Sequence, residues 1–367
     1  MIAQNLAQEP RPSPKPDASG KVAGTWHSQI PDDKEMLRAA VELTRDISTA
    51  RPAIYWPDML ASAALGYAAL AGAILLDNTF AAVACGLLAS LALYRALLFI
   101  HELTHIHKEA LPGFRFAWNL LVGIPMLIPS FMYEGVHTQH HARTRYGTIE
   151  DPEYMPLALM KPWSLPVFAL TAILLPIALL IRSAVLVPLG VAIPPLRQLV
   201  WERASALSIN PQYRRRRPEG EFARMVFWQE LGCSVWAISV LTASYLYGWR
   251  PLLIALCVVS FTAFLNQVRT LVAHLWENDG EAMTVTAQYL DSVNVPPPAL
   301  FSPLWAPVGL RYHALHHLLP SMPYHSLNEC HRRLSAHLGE DTTYARASYK
   351  GLAPLLRRLA GSTMRAR

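Results

Sequence analysis

Charge is what this chain has least of. Only 16% of its 367 residues are Asp, Glu, Lys or Arg, while 52% are hydrophobic. Soluble domains carry about 25% charged residues, so the balance argues against a soluble protein. Cysteine is also scarce. Cys85, Cys233, Cys257 and Cys330 are scattered, three of them inside apolar runs, and no CxxC pair exists. That pattern excludes a disulfide framework and a thiolate-held metal, and reads as small buried hydrophobes. There is no four-cysteine cluster motif and no HPGG-type haem signature, so the chain is not expected to carry its own electron-transfer domain. No basic start leading into an apolar core opens the sequence, so a signal peptide is not expected. Residues 1–30 are polar and hold Pro10, Pro12, Pro14 and Pro16, which reads as a disordered tail.

Long apolar runs are what the chain has instead. A bilayer takes ~20 residues of helix. Residues 58–76 and 80–100 form two such runs joined by the tight turn Asp77-Asn78-Thr79, and residues 225–249 and 251–272 form a second pair. The expectation is an all-α integral membrane protein with about four transmembrane helices in two hairpins. Residues 33–50 suit a surface helix before the first crossing. The run 116–132 is interrupted by Gly123, Pro125 and Pro129 and reads as a shallow re-entrant or interfacial segment. Residues 165–193 suit a short hairpin or an interfacial helix. Residues 326–338 suit an amphipathic surface helix, and the basic stretch 349–367 a tail on anionic lipid. In outline, 1–50 is tail and surface helix, 51–340 the membrane domain and 341–367 the basic C-terminal tail.

Histidine is concentrated. Of 14 histidines, eight fall in three clusters: His101 and His105; His137, His140 and His141; His313, His316 and His317. Spacings of i, i+3 and i+4 put imidazoles on one face of a helix. One such cluster is a weak signal; three form a metal site. The clusters share one site only if an even number of crossings separates His141 from His313. The pair 225–272 supplies two, so 165–193 must contribute none or two. His274, directly after the last apolar run, lands at the depth of His101 and is a ninth candidate. Catalytic zinc takes about three protein ligands, so this many imidazoles suit two ions. Neutral imidazole binds zinc, copper, iron and nickel, and nine histidines without a cysteine at the edge of a helical membrane bundle favour a pair of irons.

The pattern HxxxH, HxxHH, HxxHH, here His101–His105, His137–His141 and His313–His317, resembles the membrane fatty acid desaturase family. The segment Tyr146-Gly147-Thr148-Ile149-Glu150-Asp151-Pro152-Glu153-Tyr154 is also similar to that family, and the resemblance runs from about residue 55 to 340. It implies two iron ions, O2 as co-substrate, and removal of hydrogen from two neighbouring methylenes of a fatty acyl chain held in an apolar tunnel. The tunnel walls are expected from the two hairpins and the broken segment 116–132. Carboxylates should orient the imidazoles; Glu102, Glu150, Asp151, Glu153 and Glu277 are candidates by proximity in sequence. Asn266 is carried over from relatives that place an asparagine before the equivalent of His274. His107 is out of phase with its neighbours, and His27, His325, His331 and His337 read as surface or loop residues.

Three alternatives stay open. Related di-iron membrane hydroxylases and ketolases, including carotenoid enzymes, share the layout. His101-Glu102-Leu103-Thr104-His105 is also literally HExxH, which points to an intramembrane zinc hydrolase with Glu102 as general base. A non-catalytic metal carrier is the third, although it would place ionisable residues along a path inside the crossings. The expected partners are a lipid substrate, membrane lipid and a separate electron donor, a ferredoxin or a cytochrome. An acidic donor would dock near Arg143, Arg145 and Arg214–Arg217. The net charge of +6 and that arginine run mark the cytoplasmic side rather than a nucleic-acid surface, which puts the histidines and both tails in the cytoplasm.

Overall fold

The computed structural model describes residues 30–365, so the expected disordered tail and His27 lie outside the described residues. Among the described residues there is no strand, only isolated β-bridges; the regular structure is all helical. The protein is an all-α integral membrane protein. Among the described residues, five helices are long and apolar enough to cross a bilayer.

A short helix α1 (Lys34–Glu42) is capped by Asp33, whose side chain accepts the Met36 N–H at 3.0 Å. It does not lie free on the surface: Met36, Ala39 and Ala40 are buried against Leu315, Leu327 and Leu334. Helices α2 (Pro52–Leu75) and α3 (Thr79–His105) form the first hairpin. Pro52 starts α2 where no N–H is needed. Asn78 caps α3, its side chain accepting from Ala81 N at 3.0 Å. The two helices pack through small residues, as membrane helices do; a Cβ on Gly66 would stand 2.7 Å from the Leu93 side chain. Arg95 and Asp58 pair across the hairpin at 2.5 Å, and Tyr324 donates to the same carboxylate at 2.7 Å. The cap is thereby tied to the bundle.

The broken segment is α4 (Phe114–Trp118), a wide turn and a loop; α5 (His137–His140) follows. Next comes α6, which spans Ser164–Ala192. It is bent: a tight turn at Ala172–Leu174 precedes Pro176, and a wide turn at Arg182–Leu186 precedes Pro188. α7 (Pro194–Ala204) then doubles back, with Gly190 packed on the Arg197 backbone and Arg182 Nε donating to Ala204 O at 2.5 Å. The returning chain is hydrogen-bonded to the cap, where Ile209 N donates to Pro152 O at 3.0 Å. This stretch therefore leaves the cap and comes back to it, as the even-crossing argument requires. The count of long apolar helices is nevertheless five rather than four, because α6 holds together through its bends. Glu230 accepts from Arg182 at 2.6 Å and from Arg197 at 2.5 Å, so the buried Arg182 and Glu230 neutralise one another and the more exposed Arg197 carries the remaining positive charge.

Helices α8 (Gly220–Tyr247) and α9 (Arg250–Leu271) make the second hairpin. The cap is completed by α10 (Val285–Asp291), α11 (Ser302–Trp305), α12 (His313–Leu318), α13 (Leu327–Leu338) and α14 (Leu352–Arg365). The basic C-terminal stretch is thus a docked helix: Leu355 and Leu359 are buried and Arg358 reaches Glu277 at 3.3 Å. All four cysteines are free thiols; Cys233 and Cys330 are buried as expected, while Cys257 is exposed on the outer face of α9.

Candidate metal centre

All nine histidines singled out in the sequence come together, and they divide into two sets. His101, His105, His137, His141 and His316 form one; His140, His274, His313 and His317 form the other, and within each set the ligand atoms lie within 4.8 Å of one another. The division cuts across the sequence clusters. In the second box, His137 and His141, one turn apart, face one set while His140 faces the other; in the third, His316 parts from His313 and His317 in the same way. α3 delivers His101 and His105, and the end of α9 delivers His274.

The donor geometry fits metal. His316 Nε2 lies 3.1 Å from both His105 Nε2 and His141 Nε2, and His141 Nε2 lies 3.0 Å from His137 Nε2. In the other set His313 Nε2 is 3.0 Å from His274 Nε2 and 3.2 Å from His317 Nε2. Two ligands at right angles, each about 2.1 Å from one ion, lie about 3.0 Å apart. Both ring nitrogens of buried His101, and Nδ1 of His313 and of His317, have no hydrogen-bond partner among the described residues.

Neighbouring groups fix how several rings carry their proton. His137 Nδ1 sits 2.8 Å from Glu153 Oε1 and 2.8 Å from the Tyr133 hydroxyl, which itself donates to Glu153 at 2.8 Å. His140 Nδ1 lies 2.9 Å from Asp151 Oδ2. The Asp151 carboxylate accepts, so His140 Nδ1 carries the hydrogen; the Tyr133 hydroxyl donates its hydrogen to Glu153, so His137 Nδ1 donates to that hydroxyl, and both Nε2 atoms face the cluster. His274 Nδ1 meets the Tyr146 hydroxyl at 2.8 Å; that hydroxyl donates to Asp291 at 2.9 Å, as does Tyr154. This carboxylate–histidine arrangement is how proteins orient metal-binding imidazoles.

Burial sets the electrostatics. It holds His137, His141, His274, His313, His316 and His317 well below the usual imidazole range, and neighbouring histidines push the same way. The neutral, ligating form is favoured. His140 is the exception: burial lowers it, but Asp151 prevails and holds it above the usual value. Burial pushes Glu153 up to about 7.

The candidate carboxylates do not all reach the centre. Asp151 and Glu153 do. Glu102 lies behind His101, its Oε1 3.7 Å from Nδ1, with Oε2 taken by the Tyr55 hydroxyl and the Tyr324 N–H. So held, it is not free to act as the base of a zinc hydrolase. Glu150 is exposed and faces Arg145 at 3.5 Å, so adjacency in sequence misplaced it. Glu277 pairs with Arg358. Asn266 accepts from Arg269 at 3.2 Å in the wall of the adjoining cavity. Asp291, Tyr133 and Tyr146 were not singled out. Asp291 stands far from every histidine cluster in sequence and only the fold brings it in; Tyr146 opens the quoted nine-residue segment and Tyr154 closes it. His107 and His337 are exposed, and His325 and His331 half-buried, all apart from the two sets.

A cavity of about 440 Å³ reaches His101, Tyr133 and Glu153. Its apolar wall comes from α3 (Leu97, Leu98), α9 (Val259, Ala263) and the bent α6 (Phe168, Leu175, Leu179). One helix of each hairpin therefore contributes, and α6, which the sequence reading left out, supplies much of the rest. The basic face is also smaller than expected, because Arg215 is buried, stacked on Trp201 and donating to Glu134 O at 2.7 Å.

The sequence profile described as Fatty acid desaturase matches residues 77–348. A ceramide hydroxylase of Caulobacter vibrioides (strain NA1000 / CB15N) is 48% identical over 326 residues, covering 87% of this chain and 92% of the relative. Matched over most of its length, and with its histidines gathered as that pattern requires, the chain belongs to the fatty acid desaturase family.

Proposed function

We propose that this protein is an O2-dependent lipid hydroxylase that works at two histidine-held irons and acts on a ceramide-type lipid, an N-acylated sphingoid base. The observation that carries the reading is the pair of imidazole sets at the end of an apolar cavity. The 48% identity to a ceramide hydroxylase favours hydroxylation over the double-bond formation expected from the family resemblance. His101, His105, His137, His141 and His316 would hold one iron, and His140, His274, His313 and His317 the other; bound iron would supply activation of O2 by two electrons. Around it, Glu153 and Asp151 keep the His137 and His140 rings aligned, and the walls from α3, α6 and α9 exclude water while they hold a chain. Hydroxylation consumes O2, two electrons and two protons, leaving one oxygen in the product and one in water. Desaturation consumes the same but sends both oxygens to water, so the two are told apart by product mass alone.

Electrons come from a separate donor in this reading. An acidic donor fits the exposed Arg143, Arg214, Arg216 and Arg217 and the half-buried Arg145; charge reversal there should slow turnover with reduced donor, and unchanged turnover rejects the surface. The arginine run favours a cytoplasmic cap. The deciding experiment is a lipid mass profile of a sphingolipid-producing host expressing this chain or its His316→Ala variant. A ceramide with one added oxygen, absent with the variant, supports the reading. A ceramide or phospholipid lacking two hydrogens makes the protein a desaturase.

A further inference from the structure

Arg269 is out of place for a cavity meant only for hydrocarbon. It lies on the last turn of α9, five residues before His274, and is 8% exposed. A guanidinium has five N–H donors and keeps its charge under all ordinary conditions. Here Nη2 donates to Asn266 Oδ1 at 3.2 Å and the guanidinium also faces the Tyr94 hydroxyl, while Nε–H is buried with no partner among the described residues. The one carboxylate in the described cavity wall, Glu153, feels the charge of Arg269 but is hydrogen-bonded to Tyr133 and His137 and makes no direct ion pair with it. A buried cation within a membrane helix needs a partner, and among the described residues no ion pair provides one.

The polarity of the wall is graded. Along α9 it passes from Val259 and Ala263 to Asn266, Gln267, Arg269 and Thr270; along α3 it passes from Leu97 to His101. Both helices run towards the histidines in that direction, so the polar end of the cavity is the metal end. A site built for mid-chain chemistry would surround the reacting carbon with apolar groups on both sides.

Resting on the function proposed above, we propose that Arg269, with Asn266 beside it, binds the amide or hydroxyl oxygen at the polar end of the lipid and so selects a carbon next to that group for oxidation. The alkyl chains extend towards Leu175, Leu179 and Val259. A C–H bond on the selected carbon becomes C–OH; O2 accepts two electrons from the reduced donor and two protons, and its second oxygen leaves as water. A hydrogen bond from a buried guanidinium to a neutral oxygen is charge-assisted and directional, which suits an amide carbonyl.

The first test uses the unmodified enzyme. Tandem mass spectrometry of its oxidised ceramide should place the new oxygen on carbon adjacent to the amide or the sphingoid hydroxyls. Oxygen in the middle of a chain or at its methyl end overturns the proposal and leaves the hydroxylase reading intact. The second compares Arg269→Met, Arg269→Lys and Asn266→Leu in the iron-loaded enzyme with a short-chain ceramide. KM should rise roughly tenfold in Arg269→Met with a much smaller change in kcat, and Arg269→Lys should recover part of it. Iron content should stay at the wild-type level. An unchanged KM, or iron lost in step with activity, overturns the proposal. Should Arg269→Met not fold, Asn266→Leu and the product analysis still decide. Thermal stabilisation of the purified protein by the same ceramide gives a readout apart from turnover. If the wild type makes no oxidised ceramide, the hydroxylase reading fails; stabilisation present in the wild type and lost in Arg269→Met would still support Arg269 as the anchor, and its absence from the wild type fails the anchor as well.

Discussion

The two histidine sets are built differently although the same short helices feed both. The set of four is closed: His140, His274, His313 and His317 are all buried, and hydrogen-bond chains through Tyr146 to Asp291 and directly to Asp151 lock two of its rings. The set of five lies on the cavity: His101 lines it, His105 and His141 are only half-buried, and a single carboxylate, Glu153, orients one ring. One region is a rigid clamp tied into the cap, the other a face presented to the membrane cavity. Under the function proposed above, the contrast implies a division of labour within one centre, with the closed set fixing position and the open one meeting the substrate.

Removing a ligand from each set separately is the strongest way to break this comparison. His316→Ala and His317→Ala should each lower turnover roughly a hundredfold or more. Iron per protein should fall from near two towards one in both, and retention of two irons in either variant would mean that its histidine is not a ligand. Next in size, Asp151→Asn should weaken metal at the closed set about tenfold to a hundredfold. Glu150→Gln, one residue away but exposed beside Arg145, should leave metal titration unchanged; equal losses would show that backbone disturbance, not the carboxylate, matters.

Asp291→Asn acts through Tyr146 and should cost less, about tenfold in metal affinity, with iron lost from the closed set first. Spectroscopy that distinguishes the two irons would show whether that order holds. The smallest effect concerns acid. Burial depresses six of the ring pKa values below the unfolded value near 6.5, so the unfolded chain binds more protons once pH drops below that point. Stability of the metal-free protein is then fully present above about pH 6.5 and declines as pH falls through the depressed folded values. His140, held high by Asp151, works in the opposite direction. Melting of metal-free protein in detergent should shift down between pH 7 and 5, and loaded metal should resist the shift; a flat profile would contradict neutral buried rings.

Much of the site was legible because helical periodicity is a local property. His101 and His105, His137 and His141, and His313 and His317 are one turn apart, so any helix through them brings each pair to one side. The even-crossing argument needed only hydropathy. What failed was inference by adjacency. Glu150 neighbours Asp151 yet points out, and Asp291 stands behind the Tyr146–His274 contact without being near any cluster. The outline of the hairpins was readable from the paired apolar runs and the turn Asp77-Asn78-Thr79, but the bent course of α6 was not, since proline signals a break without saying whether the helix resumes.

By itself the sequence determined that the chain enters a membrane, that its histidines gather on one side and that two ions' worth of imidazole is available. Composition and helical spacing suffice for that, because each depends only on neighbours along the chain. The tertiary structure alone decided which histidine belongs to which set, which carboxylates stand behind them, and that a buried arginine faces the cavity. Several of those facts depend on contacts between residues more than a hundred positions apart, such as Tyr146 with His274 and Asp291, and packing sets these contacts where local pattern is silent.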